Sequence, residues 1–182
     1  MLKTKDILDE KDKRVRAKNE EVVFPMSNEE KKMIHDMLEH LRLSQIEEYS
    51  IKYDLRPGMG LAAPQVGINK RFFVVCHEYD DGKFNDYVLV NPRIISHSEE
   101  LIYASEGEGC LSVNREVVGI VPRYARVTVE GYDENGNKVK YRAREDLSIA
   151  FQHELDHLEG ILFYDHIDPK NPFKNKDLMR EI

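Results

Sequence analysis

The sequence predicts an α+β fold, with mostly antiparallel sheets packed around a central helix and a helical region near the N-terminus. Three observations carry this. Short β-prone runs separated by turn residues succeed one another from Phe72 to Arg142. Helical periodicity flanks them on both sides. The later helix contains His153-Glu154-Leu155-Asp156-His157, a His-Glu-x-x-His pattern. The chain of 182 residues suits one domain, with residues 1–26 as a charge-rich extension and 169–182 as a polar, loosely attached tail.

The elements follow in order. Ser27 and Glu30 form a capping box, each side chain covering the other's exposed backbone N–H. Met33, Ile34, Met37, Leu38 and Leu41 then share one helical face, a core stripe. A second helical stretch runs to Tyr53, and Arg56-Pro57-Gly58-Met59-Gly60 breaks it. Phe72–Cys76 and Tyr87–Val90 read as strands joined by the turn Asp80–Lys83, with Pro92 ending the second. Ile94-Ile95, Leu101–Tyr103, Val117–Val121 and Arg126–Glu130 are further strands. Lys138–Arg142 pairs back across the turn Asp133–Gly136. The last helix starts at Asp146 or Ser148 and stops at Gly160. Phe163–His166 reads as a final strand.

Composition narrows the function. Apolar residues make up 41% and charged residues 34%, a soluble globular balance. A formal net charge of −7 gives no reason to expect a general nucleic-acid binder, although it leaves room for a local basic patch. No stretch is long and apolar enough for a membrane span, and Lys3–Lys18 mixes both signs without the apolar segment of a signal peptide. Two cysteines, Cys76 and Cys110, argue against a disulfide framework and for a reducing cytoplasm. Cys76, inside an apolar strand, reads as a small buried hydrophobe.

His153 and His157 lie four apart, so they differ by about 40° around a helix axis and project from one face. They can bind one metal ion. Glu154 borders that face, where a carboxylate can handle the proton of a water at the metal. A catalytic site of this kind needs a third protein ligand and an open position. Downstream, position 163 is Phe where a longer peptidase pattern carries His, while Asp165, His166 and Asp168 remain available. Upstream, Cys110 sits in Glu106-Gly107-Glu108-Gly109-Cys110-Leu111-Ser112, a Gly-rich segment with a thiol at its tip. Gly58–Gln65 is a third segment, whose glycines let backbone approach a ligand closely.

Gly58-Met59-Gly60-Leu61-Ala62-Ala63-Pro64-Gln65, Glu108-Gly109-Cys110-Leu111-Ser112 and Gln152–Leu158, in this order, resemble the three signature segments of the peptide deformylase family. The likeness extends from about Ser27 to Asp168, and its layout resembles the branch found in Gram-positive bacteria. It implies removal of the formyl group from the N-terminal formyl-methionine of new polypeptides. It also implies Cys110, His153 and His157 as ligands of one divalent metal, Fe(II) first, with nickel, cobalt or zinc as substitutes. Glu154 would be the proton carrier. The Gln65 side-chain amide and the Leu111 backbone N–H would stabilise the developing oxyanion. Ile149, His153 and Glu108 would line a slot for the methionine side chain. Backbone of Met59, Gly60 and Gly109 would pair with the peptide as an added strand. The charge balance disfavours a specific nucleic-acid partner, while the Lys-containing tail is placed to touch a ribosome transiently; the expectation is a cytoplasmic monomer with no membrane. Two rivals stand beside it: a zinc endopeptidase with a downstream ligand, and a non-catalytic metal-binding module with a fourth protein ligand.

Overall fold

The computed structural model describes all residues 1–182. Its helices are α1 (Asn28–Ser44), α2 (Glu47–Tyr53) and α3 (Glu145–Leu158). Its strands are β1 (Gly60–Ala62), β2 (Phe72–Glu78), β3 (Phe84–His97), β4 (Leu101–Tyr103), β5 (Arg123–Tyr124), β6 (Arg126–Tyr132), β7 (Lys138–Arg144) and β8 (Arg180–Glu181). One sheet has the order β1-β2-β3-β6-β7, antiparallel throughout, and a smaller one the order β5-β4-β8. The expected α+β class with mostly antiparallel sheet is what the chain adopts. No helix is long and apolar enough to cross a membrane.

The apolar run of β2 is explained by burial on both faces. Phe72, Val74 and Cys76 pack with Ile34, Met37 and Leu41 of α1. Phe73 and Val75 point the other way, with Val127, Val129 and Ala143, into the apolar side of α3 at Leu147, Phe151 and Leu158. The capping box forms: Glu30 N–H donates to Ser27 Oγ, and Ser27 N–H donates to Glu30 Oε2. Cys76 is fully buried, as a small hydrophobe should be.

Four sequence expectations fail for physical reasons. Pro92 does not end β3; it sits in a bulge between Val90 and Arg93, where the ladder skips and a missing N–H costs nothing. Val117–Val121 forms no strand. It is held instead by a single backbone bond from Ile120 to Pro172, since β-propensity needs a partner strand to act on. Phe163–His166 is a 3-10 turn, because Asp165 accepts the Leu162 N–H at 3.0 Å and closes it locally. The tail is not loosely attached. β8 pairs in parallel with β4, and Arg180 reaches Glu100 and Glu145, each at 2.6 Å.

Residues 1–26 are likewise packed. Leu2, Val15, Val22 and Met26 are buried. Backbone N–H groups of Leu8, Glu10 and Asn19 donate to the carbonyls of Gln65, Ser112 and Leu158, at 2.8, 2.7 and 3.0 Å. The extension therefore braces all three segments that the sequence singled out.

Candidate active site

Cys110, His153 and His157 are buried, and one donor atom from each lies within 4.8 Å of the others. Cys110 Sγ is 3.3 Å from His157 Nε2. The helical spacing of the two histidines puts their rings 5.0 Å apart, and the turn after Gly109 brings the thiol to them from a segment 43 residues upstream of His153. Phe163 stacks on His153 from outside. His153 Nδ1 is 2.8 Å from Glu108 Oε1, which fixes the ring and leaves Nε2 for the interior. Burial works against a charge on His153, yet the neighbouring Cys110 sulfur and Glu108 hold its pKa well above the ordinary value. Burial, with His153 adding to it, holds His157 well below. The two imidazoles, one turn apart on α3, are thus held in opposite senses by their surroundings.

Glu154 is buried beside them, its Oε2 without a hydrogen-bond partner. Burial pushes its pKa up to about 7. Gly60 packs against it so tightly that a Cβ there would lie 2.5 Å from Glu154 Oε1. Gln65 closes the other side. Its Oε1 accepts the Ala62 N–H at 2.9 Å, so its Nε2 is turned to Ser112 Oγ at 3.0 Å and Cys110 Sγ at 3.6 Å. The backbone N–H of Leu111 has no protein acceptor. A cavity of about 770 Å³ opens onto these groups, lined among others by Met59, Gly60, Glu108, Gly109, Leu111 and Ile149. β1 is an edge strand of its sheet, so one side of Gly60 is free to pair. The Met59 carbonyl accepts the Cys76 N–H at 2.8 Å and so is turned toward β2. Sequence reasoning did not place Ile182 here; it lines the same cavity and packs with Ile149.

The polypeptide deformylase family model matches residues 4–173. The chain belongs to this family. It is 52% identical over 177 residues to a peptide deformylase of Macrococcus caseolyticus, covering 96% of this chain and 95% of that one. A Bacillus anthracis relative, peptide deformylase 2, is 50% identical, with 97% and 96% covered. These and a Listeria monocytogenes relative at 50% bear out the Gram-positive likeness. Among solved structures, a probable peptide deformylase from a Synechococcus phage superposes with a TM-score of 0.72 at 36% identity, covering 88% of this chain and 98% of that one.

For a deformylase-family chain, the surroundings of the cluster are as telling as the cluster. Arg123 is buried and donates to both oxygens of Glu108 at 2.9 Å and to Asp156 at 2.7 Å. Burial would raise the Glu108 pKa, but His153 and Arg123 hold it down at about 2. Arg56 donates to the Cys110 carbonyl. Gln152 donates to the Tyr124 carbonyl and accepts the Tyr124 N–H, both at 2.9 Å, tying α3 to β5. Sequence reasoning missed Arg123 and Arg56 as site residues, for neither stands in one of the three signature segments. The downstream ligand candidates do not reach the cluster. His166 Nε2 is 2.7 Å from Asp156, Asp165 pairs with Arg16 at 2.5 Å, and Asp168 accepts the Lys170 N–H. This removes the third ligand that an endopeptidase reading requires.

Proposed function

We propose that this chain hydrolyses the N-formyl amide at the N-terminus of newly synthesised polypeptides, giving formate and a free α-amine, at the pocket around Cys110, His153 and His157. The observation that carries this reading is the convergence of one thiol and two imidazoles beside a buried, unpartnered carboxylate and a side-chain amide held with its N–H side inward. The donor set fits a divalent cation: three buried protein ligands, soft and borderline, whose donor atoms lie within 4.8 Å of one another. We assign Fe(II) as the resident ion, with nickel, cobalt or zinc able to replace it, and α3 as the helix about which the sheets are arranged. When bound, such an ion supplies Lewis acidity that brings a water's pKa toward about 7 and polarises a carbonyl oxygen.

The chain's own residues do the rest. Glu154 takes the proton of the attacking water at its free Oε2 and delivers it to the departing amine. A carboxyl with a pKa near 7 can perform both transfers at neutral pH. Gln65 Nε2 and the unengaged Leu111 N–H stabilise charge on the formyl oxygen. Backbone of Gly109, of Met59 and of the free edge of β1 at Gly60 holds the peptide as a further strand. Ile149, with His153 and Glu108, accepts the methionine side chain. The whole of 1–182 acts as one catalytic unit, as a cytoplasmic monomer that meets the ribosome transiently, where its substrates arise.

Anaerobic purification with added Fe(II) or Ni(II), followed by measurement of the free α-amine released from formyl-Met-Ala and from acetyl-Met-Ala, with formate measured for the first, tests this directly. Release of the amine from the formyl peptide alone, with an equal amount of formate, is expected. Turnover of both at equal rates, or of neither with metal bound, overturns it.

A further inference from the structure

The basic residues of β7 stand apart from an otherwise acidic molecule. Lys138, Lys140, Arg142 and Arg144 alternate along the strand, so all four share one face of the sheet, about 7 Å apart by strand geometry. All four are exposed. Their neighbours on the strand, Val139, Tyr141 and Ala143, face the α3 core instead. None of the four makes an ion pair, in a chain where acidic groups outnumber basic ones, 34 to 27. The acids within reach are already engaged. Glu130, opposite Lys140, is held by Arg93 at 2.5 Å; Glu100 and Glu145 are held by Arg180.

Register sharpens the point. Arg144 lies directly opposite Arg126, and Arg142 opposite Thr128. Like charges facing each other across strands destabilise a sheet. Protecting a sheet edge from aggregation needs charge, but not charge of a single sign. α1 covers this side of the sheet over β1, β2 and β3. Beyond it, Arg126, Arg142 and Arg144 share a polar hollow with Ser96, His97, Ser98 and Thr128. His97 stacks on Tyr124 at the margin, with centroids 3.8 Å apart.

We propose that the outward face of β7 with this hollow docks the phosphate backbone of RNA. A regular row of cations follows a polyanion of regular step, guanidinium groups take phosphates through paired N–H donors, and hydroxyls and a stacked ring pair suit sugar and base. A bilayer surface is the poorer match, because β7 carries no outward aromatic or leucine to anchor in lipid. The inference does not depend on the catalytic reading, since none of these residues lines the active-site cavity.

The test is fluorescence anisotropy with labelled poly(U) against the full chain, over a salt series. Four neutralised phosphates on a single strand give a log–log salt slope of about −3. The double variant K140Q/R142Q is expected to bind at least about tenfold more weakly at low salt, with the slope reduced by about 1.4. It should melt like the parent and release formate at the parental rate. The control K170Q/K174Q, in the C-terminal segment, should bind as the parent does. Should the double variant unfold, R142Q and R144Q singly are read in the same way. Equal slopes for parent and variant overturn the proposal, as does absence of RNA binding at low salt. Tighter binding to phosphatidylserine vesicles or polyglutamate than to RNA at equal ionic strength also overturns it.

Discussion

In the proposed mechanism Glu154 carries the proton transfers. It is buried, one oxygen is unpartnered, and no ion pair neutralises it. Glu154→Ala should keep its metal by elemental analysis while formate release falls about 10²–10⁴-fold, the usual worth of a general acid–base. Near-normal turnover would remove Glu154 from the reaction. Gln65→Ala removes one of the two donors proposed to face the developing charge, and kcat is expected to fall about 10²–10³-fold with little change in KM. Cys110→Ser replaces a soft ligand by a weak one and should lower metal content after dialysis. Retention of a full complement would place the third ligand elsewhere. These residues were legible in the sequence because each lies in a short local pattern. Arg123 was not: its partners, Glu108 and Asp156, are distant in sequence, and only folding places its guanidinium between them.

That arginine joins elements rather than atoms of the reaction. It links β5, the Glu106–Ser112 segment and α3 through one buried cation. Arg123→Ala removes the cation shared by Glu108 and Asp156 and leaves them only His153 and His166, and breaking a buried pair of this kind costs about 3–5 kcal/mol. A large fall in the thermal midpoint by calorimetry is expected, and an unchanged midpoint would contradict the assignment. β8 shows a different dependence. A hydrogen bond from Arg180 is the main cause holding both Glu100 and Glu145 below their ordinary carboxylate value. Carboxyls whose pKa is depressed on folding stabilise the fold above about pH 4.5 and cease to do so as pH falls through their folded values. Hydrogen exchange at the Ile182 amide should thus accelerate relative to that of β2 as pH drops below about 4.5, once intrinsic rates are removed. Parallel behaviour of the two would separate the tail from these ion pairs. Long, periodic elements such as α1 and α3 were readable from sequence; β8, two residues of polar chain, carried no periodicity to read.

At the scale of the molecule, the N-terminal extension holds the site segments together. Deleting residues 1–19 removes backbone donors from the carbonyls of Gln65, Ser112 and Leu158 and takes Leu2 and Val15 out of the core. Each buried side chain of this size is worth about 1.5–3 kcal/mol and each orphaned acceptor about 1–3 kcal/mol. At roughly 2–4 °C per kcal/mol for a chain of this size, the midpoint should fall by about 10 °C or more. Metal retention should weaken with it. A truncated chain that melts with the parent would show that the brace is dispensable. Gly160 belongs to the same contact, for a Cβ there would lie 2.3 Å from the Arg16 carbonyl.

By itself, the sequence determined the α+β class, the helix with its two histidines on one face, the family and the three segments from which the site is built. It could do so because hydrophobic periodicity and short chemical patterns are local properties of a chain. Tertiary structure decided between the upstream and downstream candidates that the residue pattern alone left open, bringing Cys110, as the resemblance implied, and no downstream Asp or His to those histidines. It alone showed that Arg123 neutralises the carboxylates behind them, that the first and last residues are packed, and that four cations on β7 face solvent unpaired. Those outcomes depend on which distant segments meet, and long-range pairing is set by burial of the whole core rather than by any one stretch of residues.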